Sequence, residues 1–151
     1  MLEAQINSAF LEAYKAKNEE EVSTLRMLKS AILNKKIEKT MAKDDIMPDD
    51  EIIALLKSEV KKRTDSAESY RAGGREESAV KEESEIAIIK KFLPEQMDED
   101  AVRKLVQEVL GEMGNPGQSG FGKIMGAVIA KSKGAADGSV VSKIVKEELA
   151  K

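Results

Sequence analysis

The sequence predicts an all-α protein, with an N-terminal four-helix part built on a long helical hairpin and a small C-terminal three-helix domain. Three observations support this. Apolar residues recur at three- and four-residue spacing along most of the 151 residues. No segment sustains the period-two alternation of a half-buried strand. Hydrophobic residues make up 41% of the chain but aromatics only 3%, while charged residues reach 35%, so aliphatic stripes must lie beneath solvated outer faces.

The first helix is expected from about Leu2 to Ala16, with Leu2, Ile6, Ala9, Phe10, Ala13 and Tyr14 on one face. Asn18 and Glu21 then have the spacing of a capping box, each side chain serving a free backbone N–H of the other. The second helix turns Val22, Leu25, Leu28, Ile32 and Leu33 inward and ends in the polar stretch Lys39 to Asp45. Pro48 suits the first turn of a third, long helix, where its missing N–H costs nothing, and Asp49, Asp50 and Glu51 favour its positive end. Ile52, Leu56, Val60, Ala67 and Tyr70 carry its stripe to Gly73-Gly74.

A fourth helix, about Glu76 to Phe92, becomes apolar at Ile86, Ile88, Ile89, Phe92 and Leu93. Pro94 disfavours helical geometry at Leu93 and places a boundary there, so domains of residues 1–96 and 97–151 are expected. Asp98 caps the fifth helix, whose buried face is Val102, Leu105, Val106, Val109 and Leu110. Gly114-Asn115-Pro116-Gly117 forms a turn. Two terminal helices follow, one with Phe121, Ile124, Met125, Val128 and Ile129, the other with Val140, Val141, Ile144, Val145 and Leu149. Gly134 stops the first of these by taking a left-handed conformation, and Asp137 caps the second at residues 139 or 140. Gly122 and Gly126 are expected to allow close helix packing.

Charge and composition exclude several functions. The net charge of −3 argues against strong non-specific binding to nucleic acid. Cysteine and histidine are absent, which removes disulfides, the usual zinc donors and the commonest catalytic base. Carboxylate clusters at Asp44-Asp45 and Asp49-Asp50-Glu51 lack calcium-loop spacing and read as helix-start acids, so no metal is expected. Gly117 to Lys123 fits the first seven positions of a phosphate-binding P-loop, but Ile124 stands where Ser or Thr must meet magnesium, and no strand precedes it. Serines lie scattered among lysines without a nucleophile elbow, so no catalytic residue and no cofactor are expected. No run approaches the roughly 20 apolar residues of a membrane span, which points to a cytoplasmic protein.

The basic residues form the remaining signal. From Asn115 onward there are six lysines against three acids, so Lys123, Lys131, Lys133, Lys143 and Lys146 are candidates for phosphate contact. Arg26, Lys29, Lys61 and Arg63 are secondary candidates on the second and third helices. A single aromatic, Phe121, follows Phe92, so recognition by backbone or shape is expected rather than stacking of RNA bases.

Gly122-Lys123-Ile124-Met125-Gly126, Lys131-Ser132-Lys133-Gly134 and Ala136-Asp137-Gly138-Ser139 together resemble the GatB/YqeY family. Leu93-Pro94-Glu95-Gln96, Leu25-Arg26-Met27-Leu28-Lys29 and Lys61-Lys62-Arg63-Thr64-Asp65-Ser66 extend the resemblance over essentially the whole chain, as in the stand-alone form. Leu93, Pro94, Gly122, Gly126, Gly134, Asp137 and Gly138 are its structural positions. Ala135 stands where related sequences often carry Lys. The resemblance implies the same two-part helical division and a relation to the tRNA-handling tail of the GatB subunit of glutamine-dependent tRNA amidotransferase. It therefore implies a tRNA-associated accessory module, with tRNA and an amidotransferase or aminoacyl-tRNA synthetase component as partners. The family label of carbon–nitrogen ligase with glutamine as amido-N-donor comes with it, although none of that catalytic machinery maps onto these residues. A helical protein-interaction adaptor without RNA binding is the alternative.

Overall fold

The structure is a computed structural model describing residues 1–151, and it contains seven α-helices and no strand. They are α1 (Leu2–Lys15), α2 (Glu19–Glu38), α3 (Asp49–Ala72), α4 (Glu76–Lys90), α5 (Glu99–Met113), α6 (Phe121–Ser132) and α7 (Gly138–Leu149). A 3₁₀ turn, Gln118–Gly120, leads into α6. The chain divides into two compact units, Met1–Leu93 and Pro94–Lys151.

In the first unit α3 and α4 fold back on each other through Gly73-Gly74, and α1 and α2 pack with them around an aliphatic core. Ile6, Leu25, Leu28, Met47, Ile52, Leu56 and Ile89 are fully buried there. Met47 comes from the segment between α2 and α3. It is held because its N–H donates to Glu3, whose other carboxylate oxygen pairs with the buried ammonium of Lys36. Lys36 also donates to the carbonyl of Lys43 at 3.2 Å, which fastens the same segment to α2.

In the second unit α5, α6 and α7 each contribute one stripe. Val102, Val106 and Val109 meet Ile124 and Val128, and Val141, Ile144, Val145 and Leu149 close the core. The N–H of Met97 donates to the carbonyl of Ala135 at 2.9 Å, pinning the entry of α5 to the turn between α6 and α7.

The helix ends follow local chemistry. Asp98 accepts from Ala101, and Asp137 accepts from Ser139 and Val140. α1, α2 and α3 all end in the paired backbone bonds of a Schellman turn, with Lys17, Thr40 and Gly74 at positive φ. α6 ends one residue earlier than glycine placement suggests. Lys133 itself is left-handed at φ 51°, and Gly134 follows at φ 85°.

Several sequence expectations change in detail. Pro48 lies just outside α3, where its carbonyl accepts from Glu51 and Ile52. The Asn18–Glu21 box is half formed, because the Asn18 N–H is already committed to Ala13. Glu21 therefore takes the Asn18 side-chain amide at 3.0 Å instead. α4 ends at Lys90, and two tight turn bonds carry the chain through Phe92 and Leu93 toward Pro94. Leu33 and Tyr14, expected inward, are 41% and 64% exposed, because α1 and α2 bury narrower stripes than their apolar residues occupy. Gly122 and Gly126 are not packing glycines, since an added Cβ at either would meet nothing within 4 Å. The crowded glycine is Gly120, where a Cβ would lie 2.0 Å from the Pro116 ring.

Candidate nucleic-acid interface

The five lysines expected to face phosphate lie on or just after α6 and on α7, and all five are exposed. Their surroundings differ. Lys131 donates to Glu112 at 2.6 Å and lies 3.6 Å from Glu108, both on α5. The hydrogen bond to Glu112, the largest influence, holds its ammonium above the ordinary lysine range. Lys143 meets Glu99, also on α5, at 3.4 Å. Lys146 lies over the ring of Phe121, 5.7 Å from its centroid. Lys123 and Lys133 make no ion pair. The lysine excess that starts at Asn115 is therefore offset by acids that precede it in sequence, because packing α5 against α6 and α7 brings Glu99, Glu108 and Glu112 onto the same surface.

Lys123 and Lys133 stand near opposite ends of α6, about 15 Å apart along the axis by the helical rise. That separation suits two separate phosphates rather than a grip on one. Solvent-screened surface pairs such as Lys131–Glu112 add little stability but do neutralise charge.

The remaining charge on this unit is organised by Arg103 of α5, whose guanidinium reaches Glu147 at 2.5 Å and Glu148 at 2.7 Å on α7. Hydrogen bonding to Glu147 and Glu148 raises the arginine, and its hydrogen bond lowers Glu147 in return. These groups brace α5 against α7. No three carboxylates approach closely enough to hold a metal ion.

In the first unit the four secondary candidates separate in the same way. Arg63 is not a surface cation at all. It is 5% exposed and bonded to Glu59 at 2.7 Å and Glu85 at 3.1 Å, with Met27 of α2 beside it. Its place among the basic residues of its helix concealed that role, although the Glu59-to-Arg63 spacing already offers half of the pairing. Lys61 is exposed and unpaired. Arg26 and Lys29 both lie over Phe10, at 5.8 and 4.4 Å from the ring centroid. Phe10 in turn stacks on the exposed ring of Tyr14 at 6.4 Å. This aromatic–cation cluster lies outside the C-terminal stretch in which Phe121 is the single aromatic beside the candidate lysines, and so is not among the residues expected from sequence. Phe10 and Tyr14 are four apart on α1, and that spacing was the available signal.

A two-unit helical protein with paired surface charge and no span long and apolar enough to cross a membrane is the class these features define. The chain belongs to the YqeY-like protein family, whose family model matches residues 3–149. It is also similar to an uncharacterized protein of Schizosaccharomyces pombe, 32% identical over 96 residues that cover 62% of this chain and 73% of that protein.

Proposed function

We propose that this YqeY-like chain is a tRNA-associated accessory module that performs no chemistry alone. The observation that carries the reading is that Lys123, Lys133 and Lys146 have no carboxylate partner, while Lys131 and Lys143 are paired with acids of α5. Two or three phosphate contacts give weak, salt-sensitive binding, which matches a module that assists a larger assembly. The resemblance to the amidotransferase tail supplies tRNA as the polyanion, and an amidotransferase or synthetase component is the proposed protein partner.

The non-catalytic part rests on where perturbed groups lie. Hydrogen bonds to opposite charges hold Glu59, Glu76, Glu147 and Glu148 below the ordinary carboxylate range and Arg63, Arg71, Arg103 and Lys131 above theirs. Each belongs to an ion pair between or along helices, rather than to a nucleophile with a neighbouring base. The glutamine-dependent ligase label is thus a property of the assembly to which related tails belong.

Fluorescence anisotropy with labelled tRNA at low ionic strength tests the reading, paired with an assay for ammonia released from glutamine. Saturable tRNA binding without ammonia release is expected. Ammonia release scaling with protein, and abolished by substitution of one of its own serines or lysines, would overturn the non-catalytic assignment. The adaptor reading is favoured by one observation, the exposed Leu33 and Ile37 one turn apart on α2. It takes precedence if tRNA does not bind.

A further inference from the structure

A groove of about 450 Å³ opens beside α1 and α2, within the size range of small-ligand sites. Phe10 lines it, with the Lys29 ammonium 4.4 Å and the Arg26 guanidinium 5.8 Å from its ring centroid. Neither cation forms an ion pair. A carboxylate would cancel their charge, whereas an aromatic face holds them in position and leaves the charge available to a ligand. Lys36 and Glu3, which also line the groove, neutralise each other. The unpaired charges are then Arg26, Lys29 and Lys43 against Asp44 alone. Leu33, an exposed apolar side chain, lines the same space.

We propose that this groove binds a nucleoside phosphate, with Arg26 and Lys29, held over Phe10, on the phosphate and the base against the apolar side chain of Leu33. A guanidinium fork beside a lysine ammonium matches phosphate oxygens through charge-assisted hydrogen bonds. The apolar wall gives the base a place that inorganic phosphate leaves empty. The phosphate belongs either to a free nucleotide or to a single-stranded nucleic acid. All the residues involved lie in the unit Met1–Leu93, so binding here requires neither the lysines on α6 nor the tRNA reading.

Amide chemical-shift titrations of the full chain with AMP, a short oligouridylate and inorganic phosphate test it. Shifts are expected at residues 7–10 and 26–33, at lower concentration for one or both nucleoside ligands than for phosphate. Tighter binding of the oligomer identifies a strand as the source, and tighter or equal binding of AMP identifies a free nucleotide. The Arg26→Gln/Lys29→Gln variant should weaken binding about tenfold or more. Lys43→Gln, which removes an exposed charge with no side-chain partner, should weaken it severalfold with the fold untouched. Lys123→Ala/Lys133→Ala should leave these shifts unchanged. Absence of groove shifts with millimolar AMP and oligomer, phosphate binding as tightly as both, or full binding in both Lys43→Gln and Arg26→Gln/Lys29→Gln would each overturn the proposal.

Discussion

At the scale of single residues, glycine placement makes the sharpest distinction. Gly126 sits exposed in the middle of α6 with open space where a Cβ would go. Gly126→Ala should therefore stabilise the protein by about 1 kcal/mol through helix propensity, read from the midpoint of urea unfolding. Gly120→Ala should destabilise it, because the new methyl would overlap the Pro116 ring. The sequence alone suggests the opposite emphasis, since Gly122 and Gly126 have helix-packing spacing. The approach of Pro116 to Gly120 depends on a turn geometry that spacing does not reveal. Thr24 is another residue that composition leaves undistinguished: fully buried on α2, with its hydroxyl unpartnered. Thr24→Val keeps the shape and removes that cost, so it should be neutral or stabilising by about 1 kcal/mol in the same measurement.

At the scale of elements, Arg63 joins α3 to α4 through Glu85 and lies beside α2 at Met27. Arg63→Ala would strand the largely buried Glu85 and leave Glu59 only Lys62, and a loss of about 3 kcal/mol is expected by chemical denaturation. The pH dependence follows from the same cluster. Burial pushes Glu59 upward, but its hydrogen bonds and charge pairing with Arg63 and Lys62 prevail and hold the carboxyl below its ordinary range. A lowered folded-state value means that the stabilisation is present above the unfolded carboxylate range and is lost as pH falls through the folded value. The melting temperature should thus fall progressively below about pH 4, and Glu59→Gln should be less stable at neutral pH with a shallower acid limb. Helix positions were largely legible, because apolar periodicity and the caps at Asn18, Asp98 and Asp137 are local signals. The inward faces were less legible. Leu33 and Tyr14 continue their apolar stripes in sequence, but α1 and α2 bury only a narrower face, and both stay exposed. Arg63 and Lys36 are buried only because acids distant in sequence, Glu85 and Glu3, arrive beside them.

At the scale of the whole molecule, each of the two units owns a separate aliphatic core. We therefore expect the fragment 94–151 to fold alone, giving helical circular dichroism and amide resonances that overlay those of the full chain. A random-coil spectrum would show that its core depends on the preceding residues. The division of charge is a property of this scale too. Lysines near the C-terminus suggested a basic face, yet Glu99, Glu108 and Glu112 lie earlier in the chain and become its neighbours only through packing. The candidate site was legible as residue types and not as a surface, because ion pairing is decided between elements. Among the C-terminal lysines, the fold leaves Lys123, Lys133 and Lys146 without a carboxylate, and the RNA reading rests on them.

The salt dependence of tRNA binding tests that reading most directly, measured for the native chain, Lys123→Ala/Lys133→Ala and Lys131→Ala. The native log–log plot should fall with salt, and the double variant should flatten its slope by about one unit for each phosphate it no longer neutralises. Lys131→Ala should alter the slope less, since Glu112 and Glu108 already engage that ammonium. Binding undetectable at low salt, or a slope unchanged by the double substitution, would contradict the account.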